Sequence, residues 1–301
     1  MTSELDTVEL VKTILKNRGK QAVDMATAEV IRASSEAGKV GSALKYFLRV
    51  TVPGALPVFP ALVSLSTDAA GGETDKSTAI SAGLAMLTWS ADIHDDIIDQ
   101  SVMKYSRKTV YGKYGSSIAI LAGDLLLTQG YLLLGQEGEF LSCIQRKTIQ
   151  DLIRKCILEI TKAEANELSM MQDPAVSPRE YLKIIRLKAV VPEILCKIGA
   201  ICANADQDIV KTLGRFGRTF GYASSIRDEF IDLLEYPELQ NRLTNECPPM
   251  PMLYAMQNPK LIYKIKPLLE NPNLGEKQAL KIVKIILIVF SLMWHKRSSA
   301  M

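Results

Sequence analysis

Apolar positions recur along most of this chain at the three- and four-residue spacing of a helix. The pattern predicts helices over 4–16, 20–37, 77 to about 102, 116–135, 140–171, 178–203, 206–235, 250–257, 260–270 and 276–295. Gly38 and Gly41 interrupt the second stretch. Val52-Pro53-Gly54 and Leu56-Pro57 mark a loop, and Pro60 opens a further helix that Gly71-Gly72 ends. Residues 109–115 read as a connector. Strand-type alternation, internal repeats and low-complexity stretches are missing. No linker divides the chain, so the expectation is one all-α domain over residues 1–301. It would be a helical bundle with its site between facing helices.

Two acidic pentads break this apolar background: Asp95-Asp96-Ile97-Ile98-Asp99 and Asp228-Glu229-Phe230-Ile231-Asp232, 133 positions apart. Unpaired carboxylates are costly in apolar surroundings. On a helix the first and last Asp of each pentad are i and i+4 and share a face, which Asp96 and Glu229 flank. Two such faces set opposite each other across a cavity would offer hard oxygen ligands to Mg²⁺. That ion prefers a few carboxylates plus waters and substrate phosphates to a full protein cage. The implied chemistry is metal-assisted handling of a diphosphate; the alternative is a pair of solvated amphipathic faces.

Composition narrows the choice. Hydrophobic residues make up 48% and charged residues 23%, so the chain has the makings of a globular core. A net charge of +3 makes no case for nucleic-acid binding. The five cysteines at 143, 156, 196, 202 and 247 are scattered, form no Cys-x-x-Cys and read as reduced core thiols of a cytoplasmic protein. His94 and His295 are the only histidines, too few for a His-based zinc site or a Ser-His-Asp triad. The N-terminus lacks a basic-then-apolar signal pattern. The most membrane-like run, Ile285 to Trp294, falls well short of the ~20 residues a span requires, so no membrane span is expected.

Other polar residues in apolar stretches invite assignment. Lys188 is either an anion ligand or a lysine that snorkels to the surface. Asp124, flanked by leucines, reads as a buried hydrogen-bonding partner rather than a metal ligand, and Asp92 either extends the acidic face or caps a charge network. His94 points away from that face in a structural role. Arg227 is the expected counter-ion of the second pentad; Arg215 and Arg218 either share that role or are simply exposed.

In combination these residues resemble the trans-isoprenyl diphosphate synthases, or polyprenyl synthetases. His94 to Asp99 is similar to the family's first aspartate-rich motif, and Thr109 to Gly115 and Leu121 to Leu126 follow at the family's spacing. Tyr181 to Ala189, with Lys188, resembles the helix that supplies a diphosphate-binding lysine. Asp228 to Asp232 resembles the second motif with Glu229 in place of an Asp, and Glu246 and Pro251 to Ala255 resemble the segment after it. The resemblance implies the isoprenoid synthase fold and a Mg²⁺-dependent prenyltransferase. Asp95, Asp96, Asp99, Asp228 and Asp232 would be the metal ligands, with Lys188, Lys104, Arg107 and Asp228 binding substrate. Asp95, Asp96, Asp99 and Lys188 would carry catalysis. The partners would be an allylic prenyl diphosphate, isopentenyl diphosphate, and a second subunit in a homodimer or in a heterodimer with a related synthase.

The chain also departs from that family. A Gly-Gly-Lys-Arg-x-Arg-Pro stretch, whose cations hold isopentenyl diphosphate, appears here as Gly54-Ala55-Leu56-Pro57-Val58-Phe59-Pro60. Arg-Arg-Gly appears as Lys104-Tyr105-Ser106, a family histidine falls on Thr88, and Phe-Gln falls on Ser224-Ser225. Each hydrogen bond to a charged group is worth about 1.5–3 kcal/mol, so several such losses would cripple the second site unless Lys104, Arg107, Lys108, Lys45 or Arg49 took over. Weak or absent elongation by this chain alone is the expectation. A regulatory subunit beside a catalytic homologue, a class I terpene synthase and a scaffold with a decayed site stay open. The C-terminal part, after the apolar run, reads as truncated or divergent. If the site is active, the small Ser90 and Ala91 one turn before Asp95 would set the floor of the product tunnel and admit a chain of geranylgeranyl length or more. Leu87 and Gly83 would lie deeper, with Trp89 turned to a neighbouring helix.

Overall fold

The computed structural model describes residues 4–104, 107–136, 140–171, 176–269 and 275–298. Tyr105, Ser106 and residues 299–301 of the chain end lie outside the described residues. The path runs α1 (Glu4–Ser34), α2 (Gly38–Val50), a 3-10 turn (Val52–Gly54), α3 (Val58–Ala69) and α4 (Thr74–Ile98). A two-residue hairpin, β1 (Met103–Lys104) and β2 (Arg107–Lys108), follows, then α5 (Val110–Tyr114), α6 (Ser116–Gln136) and α7 (Cys143–Met170). The chain continues with α8 (Pro178–Lys188), α9 (Val190–Cys202), α10 (Gln207–Leu234), α11 (Tyr236–Asn245), α12 (Met250–Met256), α13 (Pro259–Leu269) and α14 (Glu276–Ser298). The hairpin pairs Met103 with Lys108 and Lys104 with Arg107, and is the only sheet among the described residues. The protein is all-α, as its periodicity predicts.

Two compact units divide the chain. One comprises Met1–Ile157 and Val190–Thr219, the other Leu158–Ala189 and Phe220–Met301. In the first, Ala22, Ala26 and Val30 of α1, Leu44 and Phe47 of α2, Met86 and Ile93 of α4, and Ala122 and Leu126 of α6 form one buried cluster. In the second, Leu233, Leu239, Met252, Ile265, Ile282 and Ile286 build one cluster. Ala163, Tyr181, Ile184, Ile185, Cys247 and Leu253 belong to another.

Small residues let α4 and α6 approach closely, and this contact positions the first pentad. A Cβ at Gly130 would lie 2.9 Å from Leu87 Cδ2 and 3.0 Å from the Gly83 carbonyl oxygen. One turn on, the buried Ser90 hydroxyl donates to the Gly123 carbonyl at 2.8 Å. At the end of the seam the His94 ring lies against Gly123, where any side chain would collide with it. Gly83, Leu87, Ser90 and His94 thus form the α6-facing stripe at i, i+4, i+7 and i+11. Trp89 lies off that stripe and packs edge-on against Phe47 of α2, with ring centroids 6.0 Å apart, as its phase predicts.

The structure departs from the helical periodicity in several places. The first two predicted helices are one, α1, and the break falls at 35–37. Helix α3 begins two residues ahead of Pro60, which sits in its first turn, where a missing N–H costs nothing. The predicted 178–203 helix is two, split at Ala189; Pro192, which cannot donate to a preceding carbonyl, sits in the first turn of α9. The 109–115 connector holds the short helix α5, capped by the Thr109 hydroxyl accepting from Gly112 N at 2.9 Å. Helix α11 has no counterpart in the sequence reading. Helix α6, rather than Ile285–Trp294, is the described stretch long and apolar enough by composition to cross a membrane. Ala119, Ala122, Gly123, Leu126, Gly130 and Leu133 nonetheless bury one stripe of it in the protein.

Gly130→Ala will therefore overpack the α4–α6 seam. We expect a loss of about 1–3 kcal/mol, read as a lower denaturant midpoint at unchanged m-value.

Candidate active site

The first pentad ends α4. Helix geometry runs through it: Asp99 N–H donates to the Asp95 carbonyl at 2.9 Å, and Gln100, with φ of 53°, then turns the chain away. Asp95 and Asp99 therefore keep the i, i+4 relation expected of them. Asp92 precedes Asp95 by one turn and joins the same face. The hairpin folds back over this face, and Lys104 on β1 sets its ammonium among the carboxylates. Its Nζ lies 2.8 Å from Asp96 Oδ1, 3.7 Å from Asp92 Oδ1 and 3.8 Å from Asp95 Oδ2.

The hairpin is pinned in place by backbone carbonyls. Tyr46 of α2 donates its hydroxyl to Lys108 O at 2.8 Å, and Arg107 Nη1 donates to Val50 O at 2.8 Å. Thr109 donates its hydroxyl to Ser101 O at 2.7 Å. Arg107, expected to bind substrate, ties the hairpin to α2 through Nη1.

Electrostatics follow from this packing. Asp96 is only 4% exposed, and burial pushes its carboxyl up to about 7, against the pull of Lys104. Burial also raises Asp92, again opposed by Lys104. Burial would lower Lys104, but Asp92, Asp96 and Asp95 outweigh it and hold the ammonium above the ordinary lysine value. Asp124 is a correction: it is exposed rather than buried. Its partner is His94, with Nε2 3.4 Å from Asp124 Oδ1, which agrees with a structural histidine turned away from the pentad.

The second pentad, on α10, is organised by a residue the sequence reading missed. Arg242 of α11 is 5% exposed and uses its donors in several directions at once. Nη1 reaches Asp232 Oδ2 at 2.7 Å, Nη2 reaches the Tyr181 hydroxyl at 2.7 Å and Glu229 Oε2 at 3.3 Å. Nε contacts Cys247 O at 2.9 Å and Glu246 Oε2 at 3.1 Å. Glu229 also accepts from Met250 N at 2.7 Å. The replacement of Asp by Glu at 229 thus supplies the reach for a buried structural carboxylate, which joins α10 to α11 and α12.

Tyr181 extends the network to α7 and α8. Its hydroxyl accepts from Arg242 and lies 2.9 Å from both Glu167 Oε1 and Glu229 Oε1, to one of which it donates at a time. Burial keeps this phenol protonated well above its ordinary value. Lys188 is ion-paired rather than left to snorkel into solvent. Its Nζ lies 3.0 Å from Glu164 Oε1 and 2.6 Å from Glu167 Oε2. Burial would raise Glu167, but Lys188 and Arg242 prevail and hold it below the usual carboxylate range. The capping box of α8, with Ser177 and Glu180 bonded reciprocally behind Pro178, sets where this helix starts. Asp228 is half exposed and paired with Arg227 at 2.6 Å, as predicted. Asp232 is pushed up to about 6 by burial, against Arg242. Arg218, left open between a counter-ion of the second pentad and an exposed side chain, instead joins Lys197 on the buried Glu193 of α9.

Among the described residues no three carboxylate, histidine or cysteine side chains are gathered into a ready-made metal cage. The donors themselves suit Mg²⁺, which takes one or two carboxylates and completes its shell with water and phosphate. Asp95, Asp99 and Asp228 are of that type.

Residues 42–286 match the polyprenyl synthetase family, and the chain belongs to it. It is 30% identical to the geranylgeranyl diphosphate synthase of Sulfolobus acidocaldarius over 58% of this chain and 53% of that one. It is 26% identical to heptaprenyl diphosphate synthase component 2 of Bacillus subtilis over 73% of this chain and 63% of that one. The chain thus spans about half to two thirds of the length of these curated relatives. Its fold resembles the crystal structure of geranylgeranyl pyrophosphate synthetase from Pyrococcus horikoshii, with a TM-score of 0.80 at 19% identity over 96% of this chain and 88% of that one.

Two outcomes follow from the charge network. Arg242→Met strands Glu229 and Asp232 without their buried counter-ion and will cost about 3–5 kcal/mol in denaturant unfolding. Asp96, raised from 3.8 to about 7 by burial, keeps its proton in the folded chain after the unfolded chain has lost it. Its contribution to stability therefore falls as pH rises from about 4 to about 7 and is level above. In chelator, the Tm of Asp96→Asn will fall less over that interval than that of the parent.

Proposed function

We propose that this chain is a prenyl diphosphate synthase, or a subunit of one, that acts on an allylic diphosphate. The observation that carries this is the turn of α4 that presents Asp92, Asp95, Asp96 and Asp99 beside Lys104, in a chain of the polyprenyl synthetase family. Asp95 and Asp99 would hold Mg²⁺ on the first pentad and Asp228 on the second. Bound there, the metal would neutralise the charge that develops on the departing diphosphate. Lys104, beside the carboxylates of α4, and Lys188, beside those of α7, each offer charge-assisted hydrogen bonds to phosphate oxygens. Isopentenyl diphosphate is the proposed second substrate. The family's relatives named for geranylgeranyl and heptaprenyl products support this class of reaction.

A second reading has an observation of its own. Where the family carries cations, Leu56 and Phe59 are exposed apolar side chains, 37% and 36% accessible. Arg107, the nearby candidate replacement, is committed to Val50 O. A chain with this deficit fits a heteromeric synthase in which a related subunit supplies full activity. The exposed apolar side chains of α6, Ile120, Leu121, Tyr131 and Leu132, suit either a homodimer or a heterodimer.

The test is prenyl transfer by purified chain with Mg²⁺, isopentenyl diphosphate and each allylic diphosphate, alone and with a related synthase subunit. Product only in the presence of the partner selects the heteromeric reading, and none under any condition removes both. In an active preparation, Asp95→Ala will lower turnover by about 10³ or more while circular dichroism stays unchanged. Ala91, exposed one turn before Asp95, is the position at which a bulky substitution should shorten the product, and Ala91→Phe will do so in chromatographed products. Ser90→Phe instead drives a ring into Gly123 and will destabilise the fold.

A further inference from the structure

We propose that Lys104 is an internal counter-cation of the acidic end of α4, which competes with divalent metal for the Asp95 carboxylate. This deepens the reading above and rests on it for the identity of the metal site. Three carboxylates, from Asp92, Asp95 and Asp96, surround one ammonium at 2.8–3.8 Å. A magnesium ion needs its oxygens at about 2.0–2.1 Å. An ion held by Asp95 at that distance would lie only a few ångströms from Nζ, and two cations so close in a partly desolvated site repel each other.

The residue type suits the role. The ammonium of lysine is a compact point charge on a flexible stem, which can lie among the carboxylates and swing away from them. Lys104 also stands on a hairpin whose neighbouring basic residue, Arg107, is turned to the Val50 carbonyl and does not share the load. Its side chain remains 29% accessible, so the ammonium has room to leave. Displaced, it can take phosphate oxygens in place of the carboxylates. Without diphosphate the ammonium stays among the carboxylates, and the partly neutralised pentad holds metal weakly.

Metal binding to the full chain, without diphosphate, tests this directly. Mn²⁺ serves as the probe, followed by electron paramagnetic resonance and calorimetry. Lys104→Met and Lys104→Gln should each tighten Mn²⁺ by about tenfold or more, whereas Lys104→Arg, which keeps the charge, should bind as weakly as the parent. Adding Asp95→Asn to Lys104→Met should abolish the gain and so locate it at the pentad. Equal or weaker Mn²⁺ binding by folded Lys104→Met and Lys104→Gln overturns the assignment. If that happens in a chain active in prenyl transfer, the counter-cation alone is lost. If the variants tighten Mn²⁺ while the parent neither binds nor turns over any allylic diphosphate, the counter-cation stands and the prenyl-transfer reading falls.

Discussion

A carboxylate taken out of water has to be met by a cation or a proton, and both acidic pentads of this protein are arranged around that constraint. In the first, the Lys104 ammonium is brought back over the end of α4 to lie against Asp96. In the second, the guanidinium of Arg242 gathers Glu229, Asp232 and Glu246, and Tyr181 and Lys188 pass the network on to Glu167. Removing one member of such a set is costlier than never having had it, because the remaining charge stays buried. The hairpin after α4 and helix α11 are therefore parts of the acidic sites, although neither contains an acidic pentad.

The scaffold beneath the first pentad depends on small side chains. Gly83, Gly123 and Gly130 bring α4 and α6 together closely enough for the Ser90 hydroxyl to reach a backbone carbonyl. His94 ends that seam, so the stripe facing α6 and the acidic face of α4 diverge at the same turn. That divergence separates Ser90, which packs into the seam, from Ala91, which is exposed. Residue size alone does not distinguish them.

The departures from the family pattern make physical sense as a set. Leu56 and Phe59, which the resemblance sets against the family's cations, are exposed apolar side chains, and Arg107 bonds to a backbone carbonyl. Positive charge near the first pentad is thereby concentrated in Lys104. A single flexible ammonium thus answers several carboxylates at once.

Much of this was legible in the sequence. Helical periodicity announced an all-α protein, and the apolar setting of Asp95 to Asp99 and Asp228 to Asp232 marked both pentads. Phase placed Trp89 against another helix and His94 away from the acidic face, because 3.6-residue geometry is local and carries over unchanged into the fold. Partnership is not local. Arg242 looks from the sequence like any surface arginine in a polar stretch, and only the packing of α11 buries it with acids from α10 and its own turn. Asp124 reads as buried among leucines, but the side of α6 on which it lies is decided by where α4 packs. The chain by itself determined which segments are helical and where charge is concentrated. Tertiary structure alone decided which cation answers which carboxylate, because ion pairing depends on distances of a few ångströms that contacts remote in sequence establish.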